Sequence, residues 1–320
     1  MNVPLVRSLN QQLISPQFRT PEEVLAWMGM IQAQNFGAAK LALAMRLKCP
    51  SMEKAVSLVE EALDRGSIIR THVMRPTWQL VLAGDVRWMS ELSRERNRRA
   101  YEGYIRQSGL DIGAEEYERA SALIAQLLSG GVTMTVDEMM AAFTQHYPVD
   151  RERMKAYICM AENSSLICSG RLRGNNSSYA LMDGRVPAQE PLERREALTR
   201  LARMYWRGHG PATLGDFIWW AGLNIREARE AFLSIVGEEL ELRCGYAFHR
   251  DCRIHGKLAG TSLLLPAFDE YLIGYADRSE VLPKKFEHYC ITRNGIFFPV
   301  RFEEGQIVGS VRGGREERFR

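Results

Sequence analysis

Two glutamines separated by one residue, Gln32-Ala33-Gln34, are the side chains whose type and spacing best suit chemistry on a bound molecule. Side chains two positions apart in an extended segment point the same way, so both amides can converge on one water or one nucleotide. Two surface glutamines that cap a turn give the same pattern, and this alternative stays open.

Basic and amide side chains form a second candidate group in the middle of the chain. The sequence has 35 arginines and 7 lysines, which make up its 42 basic residues, and its formal net charge is +3. Because arginine can bind phosphate through two N–H groups, this skew fits a local basic groove, although a GC-rich genome gives the same skew. The residues expected to contact DNA here are Arg151, Arg153, Lys155, Arg171, Arg173, Asn175 and Asn176. Their alternative role is that of ordinary solvated side chains.

A recurring helix start indicates how the chain positions these groups. Thr20-Pro-Glu-Glu23, Thr135-Val-Asp-Glu138 and Thr213-Leu-Gly-Asp216 each place a threonine three residues before an acid, which is typical of a capping box. Apolar residues follow each threonine at the same offsets, which indicates an internal repeat. A second helix and a strand pair then follow each time. The order helix, helix, hairpin predicts a winged helix, whose second helix suits the major groove of DNA.

The expected fold is therefore mainly α with small β hairpins (α+β). It comprises three tandem winged-helix units plus a small C-terminal β-rich region. The expected segments are 1–110, 111–190, 191–256 and 257–320, and the first contains one extra helix. In the last segment, Ile291 to Arg301 and Gln306 to Arg312 are predicted strands, and the alternation from Arg315 can begin another.

Composition and cysteine spacing narrow the class of protein. With 46% hydrophobic and 25% charged residues, the chain can bury a sizeable core. Its six cysteines show no close pairing and no apolar run is long enough to cross a bilayer, which predicts reduced thiols, a cytoplasmic location and no membrane partner. Cys244, His249, Cys252 and His255 lack the short paired spacing of a zinc site, so we expect no metal and no cofactor.

Three longer segments carry a family resemblance. They are Met30-Ile-Gln-Ala-Gln-Asn-Phe-Gly37, Arg70-Thr-His-Val-Met-Arg-Pro-Thr-Trp78 and Leu264-Leu-Pro-Ala-Phe-Asp-Glu-Tyr-Leu-Ile-Gly-Tyr-Ala-Asp-Arg278. Together they resemble the tandem winged-helix proteins that include the AlkZ-type DNA glycosylases. In that family a Gln-hydrophobic-Gln triplet is catalytic, and Gln32 and Gln34 match it. The resemblance implies a bacterial, monofunctional DNA glycosylase, a hydrolase that excises N7-alkylated purines from damaged double-stranded DNA, and some members unhook interstrand crosslinks.

The implied chemistry suits two amides. An N7-alkylated purine already carries a positive charge, so it leaves without a proton from the enzyme. What remains is to hold a water against the anomeric carbon, which two glutamines can do by orientation although each is a poor base.

Further candidates lie beside the triplet and near the C-terminus. The residues expected to line the site or to grip the flanking phosphates are Asn35, Arg70, His72, Arg75 and Thr77. For His72, a structural role is the alternative. The residues expected to brace the closing region are Asp269, Asp277 and Arg278, with support of the site from behind as their alternative role.

Two other functions remain open at this stage. One is a noncatalytic winged-helix DNA-binding protein or transcription regulator, in which the glutamines only cap a turn or touch DNA. Such a regulator is typically a symmetric dimer, whereas three units in one chain favour a monomer. The other is a protein-interaction scaffold, which absent or salt-insensitive DNA binding would favour.

Overall fold

The computed structural model describes residues 1–174 and 176–319. Its α-helices, in chain order, are α1 (Val3–Asn10), α2 (Pro21–Met28), α3 (Phe36–Ala44), α4 (Met52–Arg65), α5 (Val86–Gln107), α6 (Ala114–Leu127), α7 (Val136–Phe143), α8 (Arg151–Asn163), α9 (Arg194–Gly208), α10 (Leu214–Ala221), α11 (Ile225–Leu233), α12 (Glu270–Ile273) and α13 (Glu287–Cys290). Its β-strands are β1 (Ile31–Gln32), β2 (Ile68–His72), β3 (Trp78–Leu82), β4 (Met134–Thr135), β5 (Ile167–Ser169), β6 (Ser178–Leu181), β7 (Leu240–Arg243), β8 (Tyr246–His249), β9 (Ser262–Leu265), β10 (Val300–Glu303), β11 (Gln306–Arg312) and β12 (Arg315–Arg318). The fold thus combines a larger share of helix with short strands in small sheets.

The chain forms two compact units. Unit 1 comprises Met1–Val59 and the chain from Glu193 onward, and unit 2 comprises Glu60–Leu192. The first of the four expected segments contributes to both units, so that segmentation stays a prediction about repeats in the sequence. Among the described residues, no helix is both long enough and apolar enough to cross a membrane.

The three predicted helix starts are confirmed at α2, α7 and α10. In each, the threonine hydroxyl accepts the backbone N–H of the third helical residue, at 3.1 to 3.3 Å. The acid at that position accepts the threonine backbone N–H in return, at 2.7 to 2.9 Å. Each box fixes where its helix begins and therefore which face of the helix is apolar.

The predicted order of helix, helix and strand pair occurs three times along the chain. β2 pairs with β3, β5 with β6, and β7 with β8, all antiparallel. In unit 2, β4 precedes α7 and also pairs with β6. In unit 1, Ala212 precedes α10 and pairs in the same antiparallel sense with Ala247 of β8. This shared pattern supports the winged-helix interpretation of the second and third segments, which itself stays a prediction.

The helix caps of unit 2 determine which side chains of α7 and α8 face its core. Met139 and Phe143 of α7, with Met154 and Tyr157 of α8, are each at most 1% exposed. They pack into one cluster with residues of α6 and β5. Removing this apolar area from water is the main contribution that holds the three helices against the small sheet.

The closing region forms an antiparallel sheet in the order β12-β11-β10-β9. The predicted strand from Gln306 is confirmed as β11, and the alternation from Arg315 forms β12. The predicted strand over residues 291–301 is wrong for most of its length. Gly295 has a positive φ of 73° in a tight turn that Ile291 and Phe297 close by an isolated bridge. Because glycine tolerates this conformation, the chain reverses there and the strand begins only at Val300.

The four most sheltered cysteines should differ sharply from Cys244 in reactivity. Burial raises the pKa of Cys159, Cys168, Cys252 and Cys290 to about 12, whereas Cys244 is exposed between β7 and β8. Because the thiolate is the reactive form, we expect N-ethylmaleimide at pH 8 to modify Cys244 at least about tenfold faster than these four. Peptide mass spectrometry over time measures the rates. The fast phase should vanish in Cys244→Ser, and rapid labelling of a buried thiol in the folded protein would contradict the expectation.

Candidate functional site

The Gln32-Ala33-Gln34 triplet passes from the core of unit 1 to its surface within three residues. Gln32 ends β1 and is 4% exposed, Ala33 is buried and Gln34 is exposed. Asn35 follows as the N-cap of α3, where its side-chain oxygen accepts the backbone N–H of Ala38 at 3.0 Å. The triplet therefore connects a buried strand to a capped helix, and Gln34 is its accessible amide.

A buried carboxylate holds the backbone of Gln32. The Gln32 N–H donates to Glu270 Oε1 at 2.8 Å, and the indole N–H of Trp220 donates to Glu270 Oε2 at 3.2 Å. Nε2 of His209 lies 3.2 Å from the same Oε2. Because Glu270 is 0% exposed, its carboxylate relies on protein partners in place of water. The start of the triplet is thereby tied to α12.

A second carboxylate, Asp269, fixes the other end of α3. Arg46 follows α3 and places its guanidinium on Asp269 with N–O distances of 2.8 and 2.9 Å, and both side chains are buried. Arg46 also donates to the Ala42 carbonyl at 2.7 Å. Asp269 caps α12, because its Oδ1 accepts the N–H of Tyr271 at 2.9 Å. Both flanks of α3 therefore attach to the consecutive residues Asp269 and Glu270, which supports a role for Asp269 behind the triplet.

Three further residues keep this support rigid. The ring of His209 stacks on that of Tyr205, with centroids 5.0 Å apart. A Cβ at Gly274 would lie 2.6 Å from the Glu270 carbonyl oxygen and 2.8 Å from the His209 ring, so this position requires glycine. Tyr275 donates from its hydroxyl to the His209 carbonyl at 2.8 Å. The partners of the Glu270 carboxylate are thus themselves held in place.

Asp277 and Arg278 form contacts in the turn that follows α12, and their expected role in bracing the closing region stays a prediction. Asp277 is exposed, and its Oδ1 accepts the N–H of Ser279 at 2.9 Å. Arg278 is mostly buried, and its Nε donates to the Leu272 carbonyl at 2.8 Å. Its Nη1 also contacts Glu287 at 3.1 Å. These contacts hold the turn together.

Two candidate residues on the β2–β3 hairpin of unit 2 are buried. Nδ1 of His72 lies 2.6 Å from Glu162 Oε2, and its ring centroid lies 4.2 Å from that of Trp78. Arg70 donates to the Ser177 hydroxyl at 2.9 Å, and burial lowers the pKa of its guanidinium. These contacts favour the structural alternative for His72 and give Arg70 an interior role as well.

The remaining candidates of this group, Arg75, Thr77 and Asn35, stay predicted DNA contacts. Arg75 and Thr77 are half-buried in the connection between β2 and β3. Thr77 Oγ1 accepts the side-chain N–H of Gln79 at 3.0 Å, which orders the connection. Asn35 is exposed and uses its oxygen as a helix cap, so its amide nitrogen is the atom that would meet DNA.

The basic residues of α8 all contact carboxylates. Arg151 pairs with Asp137, and Arg153 pairs with Glu116. Nζ of Lys155 lies 2.6 Å from Oε1 of Glu152. These ion pairs connect α8 to α6 and α7, and they offset the positive charge that the sequence pattern displays.

The candidate residues of the β5–β6 hairpin are exposed and partly engaged. Arg171 lies 3.9 Å from Asp64, and Arg173 donates to a backbone carbonyl at 3.3 Å. Asn176 is exposed, and Asn175 lies outside the described residues. Phosphate contact by this hairpin stays a prediction.

Unit 1 also carries a basic surface that lies outside the residues predicted from the sequence. Arg226 and Arg229 of α11 and Arg195 of α9 are exposed, and none of the three forms an ion pair with a described residue. They line a shallow concavity of about 530 Å³ together with Ile225 and Leu233, which are 61% and 62% exposed. We call this set of five residues the α11 surface.

A sequence signal for the α11 surface was present. Asn224 caps α11, because its Oδ1 accepts the Glu227 N–H at 3.0 Å, and this cap fixes the phase of the helix. Ala228 and Ala231 then face inward at 0% and 1% exposure, so the arginines between and before them face outward. Glu230 also lines the concavity, where arginines outnumber carboxylates by three to one.

The cysteines and histidines considered for zinc do not form a cluster. Within residues 1–174 and 176–319, no group of three or more His, Cys, Asp or Glu side chains is arranged to hold a metal ion. His249 Nε2 instead lies 3.3 Å from Glu239 Oε2, and the thiol of Cys252 contacts a backbone carbonyl of α9 at 3.4 Å.

Loss of the Glu270 carboxylate should lower the stability of the fold around the triplet. In Glu270→Ala, the Gln32 N–H and the Trp220 indole N–H lose a buried acceptor, so we expect the free energy of unfolding to fall by about 3 kcal/mol. Glu270→Gln keeps one oxygen acceptor and should cost about half as much. Urea unfolding followed by circular dichroism measures both. Glu196→Ala, at an exposed position on α9, is the control, and a Glu270→Ala protein as stable as this control would refute the role.

Known proteins share the sequence pattern and the fold of this chain. The family model for AlkZ-like DNA glycosylases matches residues 25–318. An interstrand DNA cross-link repair glycosylase from Streptomyces sahachiroi is 24% identical over 323 residues, which cover 94% of this chain and 84% of the relative. The solved structure of the DNA glycosylase AlkZ from Streptomyces sahachiroi matches with a TM-score of 0.74 and 22% identity, covering 97% of this chain and 86% of that one. Because the family model spans most of its length, the chain belongs to the AlkZ-like DNA glycosylase family.

Proposed function

We propose that this protein is a monofunctional DNA glycosylase that hydrolyses the N-glycosidic bond of N7-alkylated purines in double-stranded DNA, with Gln32 and Gln34 orienting the water. The observation that carries the proposal is the attachment of the Gln32 backbone to the buried Glu270 carboxylate at 2.8 Å, two residues before the exposed Gln34 amide. A reaction that depends on the orientation of a water needs such a rigid support beneath the accessible amide.

The proposed reaction is a displacement at the anomeric carbon. The C–N bond breaks as the water oxygen bonds to that carbon, and the water releases one proton to the solvent. The electron pair of the C–N bond neutralises the cationic purine, so no proton donor is needed at the base. An undamaged purine lacks that charge and should resist cleavage. A crosslinked purine alkylated at N7 carries the same charge, so unhooking belongs to the same proposal.

In this proposal the chain acts as a monomer with three winged-helix units. The α11 surface contacts the DNA. The second helix of a winged helix is the element that enters or approaches the major groove, and α11 holds that place in the third segment. Its arginines lack carboxylate partners among the described residues, whereas those of α8 are paired. Phosphates can therefore bind the α11 arginines without first breaking an ion pair.

Base release from methylated DNA tests the catalytic proposal. The purified protein should release N7-methylguanine from methylated duplex DNA and nothing from unmethylated DNA. We expect Gln32→Ala and Gln34→Ala each to slow single-turnover release by about 100-fold or more, because each removes part of the orientation of the water. Liquid chromatography with mass spectrometry quantifies the free base.

The controls separate catalysis from folding and binding. Gln145→Ala, at an exposed position in unit 2, should match the parent protein. Circular dichroism and DNA affinity should stay unchanged in the two catalytic variants. If the parent protein binds DNA yet releases no base from methylated or crosslinked duplex, the noncatalytic winged-helix DNA-binding protein or regulator replaces this proposal.

Salt dependence of DNA binding tests the α11 surface. Each phosphate contact contributes about 0.9 to the slope of log K against log salt. We expect Arg226→Gln with Arg229→Gln to lower the magnitude of that slope by nearly 2, while Arg151→Gln with Lys155→Gln lowers it by less than 1. Fluorescence anisotropy with a duplex from about 50 to 200 mM salt measures both. The opposite ranking would move the DNA contact to α8, and binding that is absent or insensitive to salt would favour the protein-interaction scaffold.

A further inference from the structure

The end of α1 places a buried amide beside the two carboxylate residues that support the triplet. Gln11 follows α1 directly and is 0% exposed. Its backbone N–H donates to the Arg7 carbonyl at 2.9 Å, so its position is fixed by the last turn of the helix. An amide that is removed from water needs partners inside the protein, and the partners of Gln11 therefore indicate its role.

The oxygen of the Gln11 side chain contacts the group that holds the end of α3. Nη2 of Arg46 donates to Gln11 Oε1 at 3.1 Å and to Asp269 Oδ1 at 2.8 Å. One guanidinium nitrogen thus joins Gln11 to Asp269. Because arginine can only donate, this contact also assigns which end of the Gln11 amide is the oxygen.

The nitrogen of the same amide donates on the side of Glu270. Gln11 Nε2 lies 3.3 Å from the Glu270 backbone carbonyl oxygen and 3.0 Å from the Tyr275 hydroxyl. That hydroxyl in turn donates to the His209 carbonyl at 2.8 Å, and burial raises the pKa of Tyr275, so it keeps the proton that it donates. Both N–H groups of the Gln11 amide are therefore used.

Gln11 thereby connects the two attachments of the triplet. One attachment runs through Arg46, which follows α3 and donates to the Ala42 carbonyl. The other runs through Glu270, whose carboxylate accepts the N–H of Gln32. Because one planar amide bonds to both, a shift of the end of α3 relative to Glu270 would break at least one of its hydrogen bonds.

We propose that Gln11 is a positioning residue for the triplet, which fixes α3 against α12 and so determines how Gln34 is presented at the surface. The effect on the reaction rests on the proposed function, because it requires that the triplet orient the water. A positioning residue changes the rate of the chemical step, whereas a merely structural residue changes stability alone.

Two neighbouring substitutions on the full chain separate these roles. Gln11→Met keeps the approximate length of the side chain and removes its three hydrogen bonds. Asn10→Leu removes an equally buried amide, which bonds to the backbone of Arg253 at 2.9 and 3.0 Å. Both variants lose buried hydrogen bonds, so both should unfold at a lower temperature than the parent protein. Circular dichroism measures this loss and sets the assay temperature well below both transitions.

Single-turnover release of N7-methylguanine from methylated duplex DNA is the first readout. We expect Gln11→Met to slow the release step about tenfold at unchanged DNA affinity, because the water-placing groups lose their fixed geometry. Asn10→Leu should release the base within about twofold of the parent rate, since its amide contacts neither attachment of the triplet.

Hydrogen exchange at the Gln32 N–H is a second readout, and it does not depend on activity. Exchange at this amide requires its bond to Glu270 to open. In protein whose glutamines carry the heavy nitrogen isotope, NMR should show the Gln32 N–H exchanging at least about tenfold faster in Gln11→Met than in Asn10→Leu. Gln79, which is buried in β3 of unit 2, is the internal reference and should exchange alike in both variants.

The two readouts distinguish failure of this inference from failure of the proposed function. If the parent protein releases base and Gln11→Met reacts as fast as Asn10→Leu, or if Gln32 exchanges equally fast in both variants, Gln11 does not position the triplet. If the parent protein releases no base while exchange at Gln32 differs as expected, the proposed function fails and the support of the triplet by Gln11 stands. Should Gln11→Met not fold, Gln11→Glu keeps the oxygen that faces Arg46, removes the N–H groups that face Glu270 and Tyr275, and carries the same expectations.

Discussion

A carboxylate removed from water must find its hydrogen-bond donors inside the protein, and Glu270 imposes that condition on four elements of unit 1. It lies at the start of α12 and receives the N–H of Gln32 at the end of β1. Trp220 of α10 and His209 at the end of α9 approach its other oxygen. A packing that displaced any one of these elements would leave a buried charge short of a partner. The site and the core of unit 1 are therefore held by the same group.

This arrangement supports the triplet through the backbone N–H of Gln32. Glu270 binds the N–H of Gln32, and Arg46 at the far side of α3 binds the adjacent Asp269. Reactions that depend on placing a water tolerate little movement of the placing groups, and glutamine has no strong basicity to compensate for poor geometry. Rigid attachment at both ends of α3 is the physical condition that the proposed water-holding role of the two glutamines requires.

Local features of the fold were predictable from the sequence, and distant contacts were not. The capping boxes at Thr20, Thr135 and Thr213 act over three residues, so their helices were predicted correctly. The resemblance selected the segment that contains Glu270, yet its partner Gln32 lies 238 positions earlier, beyond any local pattern. The tight turn at Gly295 explains why the strand predicted over residues 291–301 was wrong. The run of strand-forming residues is interrupted there by a positive φ, which composition does not reveal.

Distant contacts also limit what the sequence predicts about charge. A basic stripe on a helix predicts a DNA contact only while its cations lack internal partners, and the carboxylates that pair with α8 come from α6, from α7 and from α8 itself. An arginine already bound to a carboxylate must exchange that contact for a phosphate, so much of the attraction cancels. On α11 no such exchange is needed, because Arg226 and Arg229 have no ion-pair partner among the described residues. The number of basic residues is thus a weaker guide to a DNA surface than the number whose charge remains uncompensated after folding.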